Sequence, residues 1–136
     1  MDAALDLHVR ALVAAREGNL ADAEAALIAA QQWESAHGYT RAPLHTSHQL
    51  VLMTNFNGDL DHLARYYRET LRTLKRLRNR EGLALCLRTT GELAFVNGDR
   101  EEMRRAWELS ERLFVALGLP EAEQMRAWMA WGRETA

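Results

Sequence analysis

Three glycines recur at an interval of 40 residues, and each is followed directly by an asparagine or an aspartate. The three pairs are Gly18–Asn19, Gly58–Asp59 and Gly98–Asp99. A fixed period of this length is typical of chains built from repeated supersecondary units. Cutting the chain into blocks 1–40, 41–80 and 81–120 aligns the glycines without gaps and leaves 121–136 as the beginning of a fourth block.

The apolar residues on both sides of each glycine follow a helical period, and no useful strand alternation occurs. Glycine readily adopts the left-handed conformation that ends a helix, and an asparagine or aspartate side chain caps the next helix. Each pair therefore predicts a helix-to-helix corner, and the chain predicts an all-α fold of three hairpins plus a seventh helix over 121–136. At the end of block two, where Arg78 replaces a glycine, we predict that Asn79 takes the left-handed position.

Composition and length predict a single domain over residues 1–136. The formal net charge is −2, which gives no overall reason to expect nucleic acid or an anionic membrane as a partner. The single cysteine, Cys86, excludes an intramolecular disulfide and fits a reducing compartment. No signal peptide is visible in residues 1–10, and no apolar run is long enough to be expected to span a bilayer. We therefore predict a cytoplasmic protein.

Several residues around the corners match the pattern of a known repeat family. Before the third corner stand Leu87, Gly91 and Ala94, with Gly91 seven residues ahead of the corner glycine. After the corners, the A-x3-F pattern is matched by the pairs Ala23 and Leu27, Leu63 and Tyr67, and Met103 and Trp107. The chain thus resembles the tetratricopeptide family of helical hairpins. The resemblance implies a right-handed superhelix.

Two departures from the family pattern change the expected repeat. Val51 stands where a small residue usually lets the two helices approach. The closing proline is replaced by Ser35, Lys75 and Val115, so the second helices are predicted to extend and to give a period of 40 residues rather than about 34. Such longer repeats resemble those in sensor and scaffold regions of large bacterial transcriptional activators.

In tetratricopeptide proteins the first helix of each hairpin lines a concave groove. The resemblance implies a ligand or peptide groove lined by His8, Leu12, His48, Leu52, Asn55, Arg88, Glu92 and Phe95. His8, His48 and Arg88 occupy the same block position, and two imidazoles with a guanidinium suit a carboxylate or a peptide C-terminus. The alternative is that these residues bind no ligand and that His8 packs within its apolar stripe.

Nothing in the residue pattern predicts catalysis, a metal or a cofactor. No nucleophile–base signature or glycine-rich phosphate loop occurs, and His45 and His48 lack a third metal ligand at suitable spacing. We predict a non-enzymatic protein–protein interaction module that binds a peptide or a protein segment. The alternative is a ligand-sensing or oligomerisation portion of a bacterial transcriptional regulator.

The second helix of block two is strongly basic. Five of its residues share one side of the helix: Arg65, Arg68, Arg72, Lys75 and Arg76. This side is either a docking surface for an acidic partner or nucleic acid, or a solvated face paired with acidic neighbours. The candidate neighbours are Glu69, Glu101, Glu108 and Glu111. The net charge favours the paired face, so nucleic acid is not an expected partner.

The predicted last helix carries more large apolar residues than one buried stripe needs. They are Met125, Trp128, Met129 and Trp131. Exposed apolar patches usually mark a contact surface, so we predict self-association, for instance as a homodimer, through this end of the chain. The alternative is that both tryptophans fold onto the third hairpin.

Overall fold

A computed structural model describes residues 2–134, and over these residues the chain consists of seven α-helices without a strand. The helices are α1 (Ala3–Arg16), α2 (Leu20–Ala36), α3 (Ala42–Asn55), α4 (Leu60–Arg76), α5 (Arg80–Val96), α6 (Arg100–Leu117) and α7 (Glu121–Glu134). The all-α prediction and the seventh helix are confirmed. The second helices of the three blocks begin 40 residues apart, as the glycine spacing predicts.

The three glycine corners have the predicted geometry. Gly18, Gly58 and Gly98 have φ angles of +82°, +74° and +81°, which glycine adopts without steric cost. The following side chains accept hydrogen bonds from amides three residues on, at 3.2 Å for Asn19, 3.1 Å for Asp59 and 3.0 Å for Asp99. Each corner therefore ends one helix and caps the next within two residues.

The corner between α4 and α5 differs from the prediction for Asn79. Arg78 itself takes the left-handed conformation, with φ +55°, and the prediction that Asn79 would do so is wrong. The Asn79 side chain instead caps α5 and accepts from the amide of Gly82 at 2.9 Å. A left-handed arginine costs about 1–2 kcal/mol, which the cap and the two backbone bonds that close α4 offset.

The chain divides into two compact units, Met1–Leu63 and Ala64–Ala136. In the first unit α1 packs on α2 and α2 packs on α3. Its core includes Leu5, Leu27 and Met53, each exposing 2% or less of its surface.

In the second unit α5 packs on α6 and α6 packs on α7. Its largest buried side chains are Trp107 and Trp128, whose rings meet edge to face at 5.5 Å. Gly91 of α5 lies against the Trp107 ring so closely that a Cβ atom at this position would fall 2.1 Å from the indole nitrogen. The small residue predicted for this position is therefore a packing requirement.

Candidate functional site

His8, the first residue of the predicted polar row, is an internal contact of the first unit. Its side chain is 1% exposed, and its Nε2 lies 3.6 Å from the Glu34 carboxylate. The Thr46 hydroxyl donates to the same carboxylate at 2.5 Å. Glu34 and Thr46 are also fully buried, so this polar cluster joins α1, α2 and α3 inside the unit.

Arg88, the third residue of the row, is equally enclosed within the second unit. Its guanidinium donates to the Gln124 side chain at 2.7 Å and lies 5.3 Å from the centre of the Trp128 ring. Its backbone carbonyl accepts from the Trp107 indole at 3.0 Å. Arg88 thus joins α5, α6 and α7, and its guanidinium is inaccessible to a ligand in solution while this packing persists.

The remaining predicted groove residues lie in three environments. Leu12, Leu52 and Glu92 are buried, and Phe95 is half-buried. The centres of the Phe95 and Trp131 rings are 4.9 Å apart, and the Arg100 guanidinium lies over the Phe95 ring. His48 and Asn55 are exposed. Of the eight residues, these two polar side chains are the ones that the structure leaves open to a partner.

His48 and Asn55 belong to one exposed face of α3, which also contains Leu44 and Val51. We call these four residues the α3 face; at helical spacing they form a single stripe. Leu44 is 70% exposed and Val51 is 53% exposed, although both are large and apolar. The sequence prediction missed Leu44. The signal was available, because the other blocks have alanine where block two has Leu44, and alanine or glycine where it has Val51.

The corresponding positions of α5 show what normally covers this face. There the Ala84 carbonyl accepts from Ser110 of α6 at 2.7 Å, and Gly91 lies against Trp107 of the same helix. The equivalent positions of α1, which include Ala4 and Ala11, are also buried. Leu44, His48 and Val51 of the α3 face therefore occupy positions that α1 and α5 bury.

The four residues predicted for self-association divide into two pairs. Met125 and Trp128 are fully buried within the second unit, as the alternative for Trp128 expects. Met129 and Trp131 are half-buried. Beside Met129, α6 and α7 line an open cavity of about 230 Å³, whose uncharged lining includes Met103, Trp107 and Gly132. Charged residues of both signs complete the lining: Arg100, Glu101, Arg104, Glu108 and Arg133.

The basic residues of α4 are all exposed, and we call Arg65, Arg68, Arg72, Lys75 and Arg76 the basic face. Three of the acidic residues expected to neutralise them are engaged elsewhere in the second unit. Arg104 binds Glu101 at 2.6 Å and Glu108 at 3.2 Å, and it holds the pKa of the Glu101 carboxyl below its usual range. Glu111 binds Arg126 at 3.3 Å. Among the side chains that the structure describes, those of residues 2–133, no ion pair joins the basic face to a carboxylate.

The remaining reactive groups offer little chemistry. Burial raises the pKa of the Cys86 thiol to about 11, so the thiolate nucleophile is scarce at neutral pH. His45 and His48 have ring centres 6.3 Å apart, and the described part of the chain contains no cluster of three or more residues suited to a metal ion.

Among the described residues, no helix has the length and apolarity to cross a membrane. Comparison with protein-family models, curated proteins and solved structures finds no match to this chain.

Proposed function

We propose that the chain is a non-enzymatic, tetratricopeptide-like interaction module that binds a peptide or protein segment through the α3 face. The observation that carries the proposal is the exposure of Leu44 and Val51 at positions that the equivalent helices bury. Burying two such side chains is worth about 1.5–3 kcal/mol each, which favours covering them by a partner.

The chemistry of the α3 face suits an amphipathic helix. Leu44 and Val51 are seven residues apart, which corresponds to about 10 Å along the helix axis. This spacing matches two successive apolar anchors of a partner helix lying along α3. His48 between them and Asn55 beyond them offer polar contacts at the sides. Either a second copy of the chain or another protein supplies such a helix.

Photo-crosslinking tests the proposal with controls that the chain itself provides. A photoreactive amino acid is placed at Leu44 or Val51, and the controls carry it at Leu77 or Val115. The controls match in residue type and exposure, because Leu77 is 70% exposed and Val115 is 53% exposed. We expect adducts to protein at the first two positions in the native host, identified by mass spectrometry. Equal yields at all four positions would refute the proposal.

Sedimentation separates self-association from binding to another protein. If a second copy covers the α3 face, the wild type dimerises with rising concentration and the variant L44E/V51E stays monomeric. The control L77E/V115E dimerises like the wild type. A monomeric wild type that still crosslinks through the α3 face identifies the partner as another protein.

The second candidate function is ligand sensing within a bacterial transcriptional regulator, and the cavity between α6 and α7 supports it. Its apolar lining with Arg100 and Arg133 beside it suits a small amphipathic carboxylate, since Glu101 and Glu108, which also line the cavity, are paired with Arg104. A set of aromatic and aliphatic carboxylates should then include compounds that raise the melting temperature of the wild type. Met129→Trp, which fills the cavity, should abolish that increase. If no carboxylate changes the melting temperature, this candidate loses its support.

A further inference from the structure

The basic face of α4 concentrates positive charge on one side of one helix. Its five residues fall within about 100° of the helix circumference and extend over about 16 Å of the axis. Residues 64–80 contain seven arginines and lysines but one acidic residue, Glu69. The net charge of −2 hides this local excess, and local charge governs attraction of a polyanion.

The second observation is that this charge is left uncompensated. Glu101, Glu108 and Glu111 form their ion pairs with arginines of α6 and α7. The side chain of Arg76 donates a weak hydrogen bond to Thr73 at 3.4 Å, and it forms no ion pair with a carboxylate among the described side chains, residues 2–133. An anion that binds here therefore has no internal ion pair to displace.

The composition of the surface distinguishes between two kinds of anionic partner. Protein interfaces have an apolar core depleted of charge, whereas nucleic-acid interfaces are polar and strongly positive. No large apolar side chain is exposed within residues 64–76, all of which the structure describes. Tyr67 lies on the buried side of α4, and the five basic residues lie on a different side of the same helix.

We propose that the basic face binds the phosphate backbone of duplex DNA without reading its sequence. Charge complementarity carries the proposal, and each arginine or lysine of the face provides one phosphate contact. Five contacts predict that log K falls against log salt with a slope of about −4.5, and that the dissociation constant is about 10⁻⁵ M at physiological salt.

Fluorescence anisotropy with a labelled mixed-sequence duplex of about 20 base pairs, about two helical turns, tests this proposal. Salt is varied from about 50 to about 200 mM. The variant R65Q/R68Q/R72Q should make the slope shallower by about three and weaken binding at the lowest salt by about 10-fold or more. The control R10Q/R104Q/R126Q removes the same charge from arginines that have carboxylate partners. It should keep the wild-type slope.

Several results would overturn the proposal. One is the absence of wild-type binding at the lowest salt, and another is an equal loss in both triple variants, which would mean that only total charge matters. A third is displacement of the duplex by poly-glutamate as readily as by unlabelled DNA, which would assign the surface to an acidic protein. Circular dichroism establishes that both variants are folded. The α3 face takes no part in this assay, so the two proposals fail independently.

Discussion

Replacing Gly91 by alanine places a methyl group where the structure has no room for it. The added Cβ would lie 2.1 Å from Nε1 and 2.3 Å from Cδ1 of Trp107. The indole cannot yield easily, because it is fully buried and donates to the Arg88 carbonyl at 3.0 Å. Intrinsic helix propensity alone favours alanine by about 1 kcal/mol, so propensity and packing predict opposite signs.

The packing cost is the larger of the two. Overpacking a core costs about 1–3 kcal/mol, and loss of the indole hydrogen bond leaves a buried group unsatisfied at about 1–3 kcal/mol. After the gain in propensity, we expect Gly91→Ala to lower the free energy of unfolding by about 3 kcal/mol. Gly82→Ala is the control, because its Cβ would meet the ends of two side chains, Leu74 at 2.9 Å and the amide of Asn79 at 3.2 Å, rather than a fully buried ring. It should change stability by less than about 1 kcal/mol.

A double-mutant cycle tests the stated cause rather than the loss alone. Alanine and leucine are the replacements because the equivalent positions of the first hairpin hold Ala11 and Leu27, both of which are buried. Trp107→Leu alone should cost about 3 kcal/mol, and adding Gly91→Ala to it should cost nothing further, because the ring that clashes is gone. Urea unfolding followed by circular dichroism measures all four proteins. Costs that add within about 0.5 kcal/mol would show that Gly91 and Trp107 are not coupled, and the reasoning would fail.

Three further predictions concern buried or capping groups. Glu34→Ala should lower the free energy of unfolding by about 3 kcal/mol, because it leaves His8 and Thr46 without their shared carboxylate. Thr46→Val should lower the free energy of unfolding by about 1–2 kcal/mol in the same urea titration. Burial raises the pKa of the Cys86 thiol from 9.0 to about 11, so the folded state disfavours the thiolate. The contribution of the neutral thiol to the free energy of unfolding is therefore fully present below about pH 9 and is lost as pH rises through about 11. The wild type should therefore lose about 2–3 kcal/mol relative to Cys86→Ala across this window, and parallel stability curves would contradict this. Asp99→Ala should cost about 1 kcal/mol through loss of the 3.0 Å cap to Glu102, whereas an unchanged midpoint of thermal unfolding would argue against the cap.

The helices could be predicted from the sequence because their boundaries are set by local chemistry. The corner glycines and the residues that follow them act through backbone conformation and a hydrogen bond three residues away, so neighbouring letters suffice. Arg78 shows the limit of this approach. Two candidates for the left-handed position are adjacent in sequence; Arg78 takes it, and the Asn79 side chain caps α5 through the Gly82 amide.

The environment of the candidate site residues could not be predicted in the same way. Position in the repeat placed His8, His48 and Arg88 in one row, but burial depends on what packs against each residue. The partners of His8 and Arg88 are Glu34 and Gln124, which lie 26 and 36 residues away in sequence. Neither partner belongs to the family pattern, so the row could not reveal that its ends are enclosed.

The size of the flanking residues explains why the same block position is buried in α5, at Arg88, and exposed in α3, at His48. In α5 the small residues Ala84 and Gly91 let α6 approach until its Trp107 contacts the α5 backbone, and Arg88 between them becomes enclosed. A helix cannot approach Leu44 and Val51 as closely, because their side chains occupy the space that Trp107 uses against Gly91. His48 between them consequently stays exposed. Block two, whose first helix departs from the small-residue pattern, is therefore the block in which the α3 face stays exposed.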